Sequence, residues 1–355
     1  MTLRLSTFAF VAVAAASTTT PSFASVWSGS ISNAWEDAGN WTGGVPVAAS
    51  EPGVINLDGA NVISSGATNS ARGIDVGSTT GVATLNLTGG QLSSNAVVRV
   101  GYESGSAFSG VLNHTAGALR ISVGTPGSGN RDLQIGIGGN GVLSGTYNFG
   151  GAQVDAPDFF LDSRRVTVAV RANQAGTINM TDYGTFFARE MVLSAVNGTS
   201  LLSITGGNLA IDIGVNGLSF NPNGLGSATL RAVIDDTGFS TIDVNGVASF
   251  IDGSGPGSIF DLQLGAGYVH TPGTVFEVIN ASGGFGGDGD FTNVSDGDVL
   301  DISGNLFAAS YTTEVFSLTA LPTVEIPEPG TALLSLIGGV LLISRRHRDM
   351  RQEPV

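Results

Sequence analysis

The 355-residue chain has no cysteine and no lysine. Lack of the first excludes a disulfide framework, thiol nucleophiles and thiolate metal sites together. Lack of the second removes the usual amine base. Charged residues make up only 12% of the chain, and helical periodicity sustained over about ten residues is missing between Ser25 and Ala320. Glycine is abundant instead, at 53 residues, and the balance of charge is acidic. Between Ser25 and Pro329, nine Arg stand against twenty-seven Asp and Glu, a formal charge of about −18 for that part. Such a surface repels phosphate and anionic lipid, which disfavours nucleic-acid binding, while divalent cations could be held loosely. A hydrophobic fraction of 42% is too high for disorder, and the length suffices for a continuous core.

Short alternating runs recur along the body, at Ala83 to Leu87, Ala96 to Val100, Asp132 to Ile137, Arg165 to Val170, Ser203 to Thr205 and Ala228 to Ile234, with Gly, Asn, Asp, Ser or Pro between them. Their β-branched and aromatic residues, interrupted too often for a helix to nucleate, read as strands of an all-β fold. A phrase running from Gly81 to Leu92 is echoed from Gly110 to Leu119, Gly176 to Thr181 and Ser200 to Leu209. A second phrase alternates with it, at Ile74 to Gly77, Val98 to Gly101, Leu133 to Gly136 and Ile211 to Gly214. Gly77 and Gly101 are 24 residues apart, Leu85 and Leu112 27, and Ile178 and Ile204 26. These periods predict a parallel β-helix, a solenoid in which Leu85 and Leu87 face inward, Asn86 and Thr88 face outward, and a Gly pair turns the corner. Leu85, Leu112, Ile178 and Ile204 then share one apolar interior. An antiparallel β-sandwich is the alternative that short, closely spaced strands also suit. From Gly138 to Val170 the repeat becomes irregular, as an insertion or lateral loop would make it.

Both ends carry targeting signals. Arg4, the apolar run Leu5 to Ala16 and Ser22-Phe23-Ala24 read as a signal peptide cleaved after Ala24. At the other end come Pro327-Glu328-Pro329, an apolar run from Thr331 to Ile343, and a cationic cluster of Arg345, Arg346 and Arg348. The prolines hold the chain extended around Glu328, and the arginines form a cytoplasmic stop under the positive-inside rule. The apolar run is short against the roughly 20 residues of a full span, and Gly338-Gly339 weakens its middle. This tripartite end resembles the PEP-CTERM sorting signal of exported bacterial proteins. The resemblance implies processing by an exosortase-type membrane enzyme, an intermediate held in the inner membrane by a single C-terminal helix, and association with exopolysaccharide. An ordinary single-span anchor is the other reading of Thr331 to Ile343. The expected division is a signal peptide at 1–24, a Trp-rich cap at 25–60, a β-solenoid body at 61–320 and the sorting signal at 321–355.

Trp27, Trp35 and Trp41, followed by Gly43-Gly44-Val45-Pro46, resemble the opening segment of autotransporter-like β-helical proteins. Their rings suit either a hydrophobic end cap or a platform for sugars. The stretch from Gly273 to Leu318 resembles the closing coils of the same proteins. His114 is expected in an outward slot and His270 in a solvated turn, neither at triad or metal spacing. Asp235-Asp236 and the pair Asp155 and Asp158 are the carboxylates that a glycosidase would need, although neighbours on a strand face opposite ways and a turn is the simpler reading. Gly283 to Phe291 begins like a calcium-binding nonapeptide, so Asp288, Asp290, Asp296 and Asp298 are weak Ca²⁺ candidates. No other cofactor is expected. The expectation for function is a non-catalytic, exported cell-surface or matrix protein of the biofilm or exopolysaccharide kind. The alternatives are a carbohydrate-binding adhesin and, further off, an exported polysaccharide-degrading enzyme.

Overall fold

Alternation of buried and outward residues runs through nearly every strand, and it sets the architecture. In Ala83–Ser94 the side chains of Ala83, Leu85 and Leu87 are buried while Thr84 and Asn86 are partly exposed. Thr199–Thr205 and Ser227–Ile234 follow the same rule. A strand with one apolar face must cover that face with something else. In this computed structural model, strands further along the chain cover it. The structure describes residues 24–322, apart from 48–51, 67, 103–107, 122–131, 139–141, 152–159, 170, 172, 195–196, 222, 224 and 252–254. The expected signal peptide and sorting signal therefore lie almost wholly outside the described residues. So do Pro327, Glu328, Pro329, Arg345, Arg346, Arg348, Asp155 and Asp158.

The fold is all-β, and its strands join one large, mostly parallel sheet curled nearly closed around a single core. Three ladders make up that sheet. In one, Leu85 pairs with Leu112, Leu112 with Tyr147, Tyr147 with Ile178, Ile178 with Leu202, Leu202 with Leu230 and Leu230 with Phe260. In the second, Leu92, Leu119, Leu161, Phe186, Ile211, Ile242 and Ile279 stack in order. In the third, Ile55, Val76, Val100, Ile135, Val168, Leu193, Phe220 and Phe250 do the same. All three rows point into the same apolar interior, whose members are almost fully buried. Full burial of one such Leu, Ile or Phe side chain contributes about 1.5–3 kcal/mol.

The antiparallel sandwich is excluded by this pairing, and several finer expectations are corrected. Ile204 does lie in the core, but it pairs with Met180, and Ile178 pairs with Leu202. The segment from Gly138 to Val170 holds Leu143–Phe149, which pairs with Phe108–Ile121 on one side and Gln174–Met180 on the other. It belongs to the stack, as does Phe160–Val168 in the same segment. The stretch expected to supply closing coils first continues two ladders, Val275–Ala281 pairing parallel with Ile242–Val244 and Phe285–Gly287 with Ala248–Phe250, and then turns back. Val275–Ala281 and Val315–Ala320 pair antiparallel, as do Asn305–Tyr311 with Val299–Ile302 and with Val315–Ala320.

Each end of the stack is covered by aromatic side chains. At the first, Trp41 meets the rings of Trp27 and Trp35 edge-on, with centroids 5.1 and 4.8 Å apart. At the second, Phe291 contacts Phe220, Phe250, Phe260 and Phe316, and Tyr311 stacks on Phe316 at 4.4 Å. Among the described residues no helix is long and apolar enough to cross a membrane.

Candidate functional site

The tryptophans are not a sugar platform. All three are buried, and Trp41 donates its Nε1–H to the Trp35 carbonyl at 2.8 Å. Asn40, fully buried beside them, uses its whole side chain. Its Oδ1 accepts from the backbone of Ile31 and Ser32, and its Nδ2 donates to Ser32 Oγ and to the Ala34 carbonyl. Glu36 ties this cap to the first turn of the stack, accepting from Ser65 N, Gly66 N and Asn69 Nδ2. Burial alone would raise the Glu36 carboxyl, but those donors outweigh it and leave its pKa lowered. The aromatic cluster is thus a structural cap.

His114 faces inward, contrary to the outward slot expected. It stacks in register between Leu87 and Phe149, and it is fully buried. Its Nδ1 lies 3.0 Å from Tyr147 Oη and its Nε2 2.9 Å from the Gly117 carbonyl. A carbonyl can only accept, so the proton sits on Nε2 and Tyr147 donates to Nδ1. Burial lowers the His114 pKa to about 4, with the Gly117 carbonyl pulling the other way. It also pushes the Tyr147 hydroxyl well up. His270 is not a free turn residue either, since its ring nitrogens meet Tyr268 Oη at 3.1 Å and the Leu321 carbonyl at 2.7 Å.

The carboxylates are occupied with backbone. Asp235 accepts from Thr237 N and Thr237 Oγ1 within a tight turn closed by Gly238. Asp296 accepts from Tyr311 N, and Asp298 accepts from Ser295 N. Burial raises the Tyr311 hydroxyl against its hydrogen bond with the Phe291 N–H, which lowers it, and the charges of Asp290, Asp298 and Asp296 add to the rise. Among the described residues no group of three or more His, Asp or Glu could hold a metal ion. The structure therefore does not draw Asp288, Asp290, Asp296 and Asp298 into one ligand shell.

What the fold does assemble is a row of asparagines. In the repeated triplets Leu-Asn-Leu, Leu-Asn-His, Tyr-Asn-Phe and Ile-Asn-Met, the central residues Asn86, Asn113, Asn148 and Asn179 stack in register on the outer face. Each Nδ2 donates to an asparagine Oδ1 on the preceding strand: Asn113 to Asn86 at 2.8 Å, Asn148 to Asn113 at 2.8 Å, Asn179 to Asn148 at 2.7 Å, and Asn86 to Asn61 at 2.6 Å, the last lying two residues off register because Asn86 pairs with Ile63. The ladder lies in an open groove of about 540 Å³ rimmed by Thr88, Thr115 and Thr181, with Ile63 and Phe149 also lining it. No lining residue is ionisable. The groove is concave because the long strands bend there. Leu87 pairs with His114 but Thr88 with Ala116, which leaves Thr115 as an extra, outward residue. Sequence reasoning placed Asn86 outside without giving it a role. The recurring apolar-Asn-apolar triplet was the available signal.

A second, smaller groove of about 330 Å³ carries Asp212 and Asp243, which accept from Asn245 at 2.8 Å and Asn280 at 3.2 Å. In-register ion pairs link neighbouring strands elsewhere, at Arg99 with Asp75, Arg165 with Glu190 and Arg231 with Asp261. Comparison with protein-family models, with curated proteins and with solved structures gives no match.

Proposed function

We propose that this chain is a non-catalytic, exported surface or matrix protein whose body is a parallel β-helix serving as a rigid stalk. An exosortase-type enzyme reads Pro327, Glu328 and Pro329 while Thr331 to Ile343 holds the chain in the inner membrane and Arg345, Arg346 and Arg348 stop its transfer. Release then leaves the body at the cell surface or outside the cell, in contact with exopolysaccharide. One observation carries the stalk reading. Three ladders run in parallel from the tryptophan cap to the antiparallel end, each strand paired along its edge with one a repeat further on. A chain built that way grows along one axis and presents long, regular outer faces, which suits a spacer or scaffold.

The sorting half of the reading is tested at residues where identity matters. Replacing Pro327 and Pro329 by Ala, or Glu328 by Gln, is expected to impair processing while the body stays folded. Loss of the Arg345, Arg346 and Arg348 charges weakens the membrane stop instead. Mass spectrometry of the mature C-terminus in envelope and medium fractions, with and without the processing enzyme, reads both. If the proline and Glu328 variants are processed like the parent, Thr331 to Ile343 is an ordinary anchor.

A second reading, a carbohydrate-binding adhesin, is favoured by the uncharged groove over the asparagine ladder.

A further inference from the structure

We propose that the asparagine ladder is the floor of a binding site for a single uncharged polysaccharide chain lying along the stack, across the strands. The inference rests on the adhesin reading and gives it a location and a ligand class.

The hydrogen-bond count of the rungs comes first. A carboxamide offers two N–H donors and an oxygen with two lone pairs. At Asn113 and Asn148 the ladder takes one donor and one lone pair from each, and no other partner among the described residues takes the rest. Asn113 and Asn148 therefore each keep one N–H and one lone pair in the lining of the groove, whereas Asn86 also donates to the Val62 carbonyl at 3.2 Å. A sugar hydroxyl donates once and accepts up to twice, so this pair complements it in a way that neither a cation nor an anion would need. The rungs recur at the spacing of neighbouring strands, about 4.8 Å, which is close to the length of one pyranose unit in an extended chain. From Asn86 to Asn179 the in-register ladder spans roughly 14 Å, room for more than one sugar ring.

Preorganisation and charge point the same way. The amide planes of Asn86, Asn113 and Asn148 are already fixed by hydrogen bonds on both sides, so little side-chain entropy remains to be lost on binding. The lining has no ionisable group, and the body around it is strongly acidic, which rejects polyanions. Ile63, partly exposed in the lining, adds apolar surface for the C–H face of a sugar ring. The bend that leaves Thr115 outward makes the surface concave, which fits one strand of polymer and not a flat crystalline face.

The test is calorimetric titration of the purified full-length protein with neutral hexasaccharides of gluco-, manno- and galacto-configuration, with a hexagalacturonate as the anionic comparator, at low and high salt. At least one neutral probe is expected to bind, with an affinity that salt does not change. Thr88→Arg with Thr115→Arg fills the rim without touching the ladder, and is expected to weaken binding at least tenfold at an unchanged melting temperature. Asn113→Leu with Asn148→Leu should abolish it. The proposal is overturned if no neutral probe binds, if galacturonate binds better, if the rim variant binds like the parent, or if the rim variant changes the oligomeric state instead. Sorting plays no part in this titration. A failure here leaves the C-terminal reading standing, and failure of the C-terminal test leaves this one.

Discussion

Asn40 shows how much one side chain can hold when every valence is used. Two acceptor and two donor contacts fix the loop from Ile31 to Ala34 against the tryptophans. Asn40→Asp preserves shape but replaces the donor nitrogen by an oxygen facing the Ala34 carbonyl. We expect a loss of about 2–4 kcal/mol from that buried mismatch, read as a shift in the midpoint of chemical denaturation. His114 makes a different kind of statement, because its core position couples folding to protons. Its folded pKa of about 4 lies below the ordinary 6.5, so the unfolded chain binds the proton first. The contribution is intact above pH 6.5 and is lost as pH falls through the window down to about 4. It amounts to about 3 kcal/mol when fully lost. Carboxylates titrate near the bottom of the same window, so the informative quantity is a difference. His114→Gln keeps hydrogen-bonding capacity without the titration, and stability curves of parent and variant are expected to converge as pH drops from 6.5 to 4. Parallel curves would show that His114 is not buried as a neutral ring.

At the scale of the element, each strand has an inner face set by alternation and a register set by its neighbours. Close approach between ladders adds a further constraint. Gly145 lies where a Cβ would run into the Val100 carbonyl and the Gly136 nitrogen, so the backbone of one ladder rests directly on the ends of another. Gly145→Ala is expected to cost about 1–3 kcal/mol, because the obstructing atoms are backbone and cannot rotate away. Urea denaturation checks it, with an unchanged slope marking a folded but strained protein. The ion pairs that step from strand to strand at Arg99, Arg165 and Arg231 are partly exposed. Pairs of that kind contribute roughly 0–1 kcal/mol each, so register is governed by the buried rows and not by charge.

For the whole molecule, the repeated phrases carried the parallel stack because each phrase is one strand with one apolar face. Leu85 and Leu87 inside, Asn86 and Thr88 outside, follow from a period of two. Repetition gave the register of Leu85 with Leu112 and of Val76 with Val100, but not every pairing. Ile178 and Ile204 are both inward, yet Ile204 sits one inward position beyond, because the backbone matches Ile178 with Leu202 and Met180 with Ile204. Nor did it reveal Leu143–Phe149, whose Tyr-Asn-Phe resembles the other triplets only once its neighbours are known. His114 was read as outward from its slot in the repeat phrase, whereas the same alternation that buries Leu87 buries it too, with Tyr147 and Gly117 supplying its hydrogen bonds. The sequence alone determined an all-β chain, its repeated strands, their inner and outer faces, and the acidic, cysteine-free character that limits its chemistry. Only the tertiary structure decided which strands meet, that the last ones reverse direction, that the tryptophans are covered, and that asparagines dozens of residues apart touch to form a groove. The physical reason is the range of the interactions. Alternation is local to a strand, while a ladder of side chains exists only after the chain has come round and placed one repeat against the next.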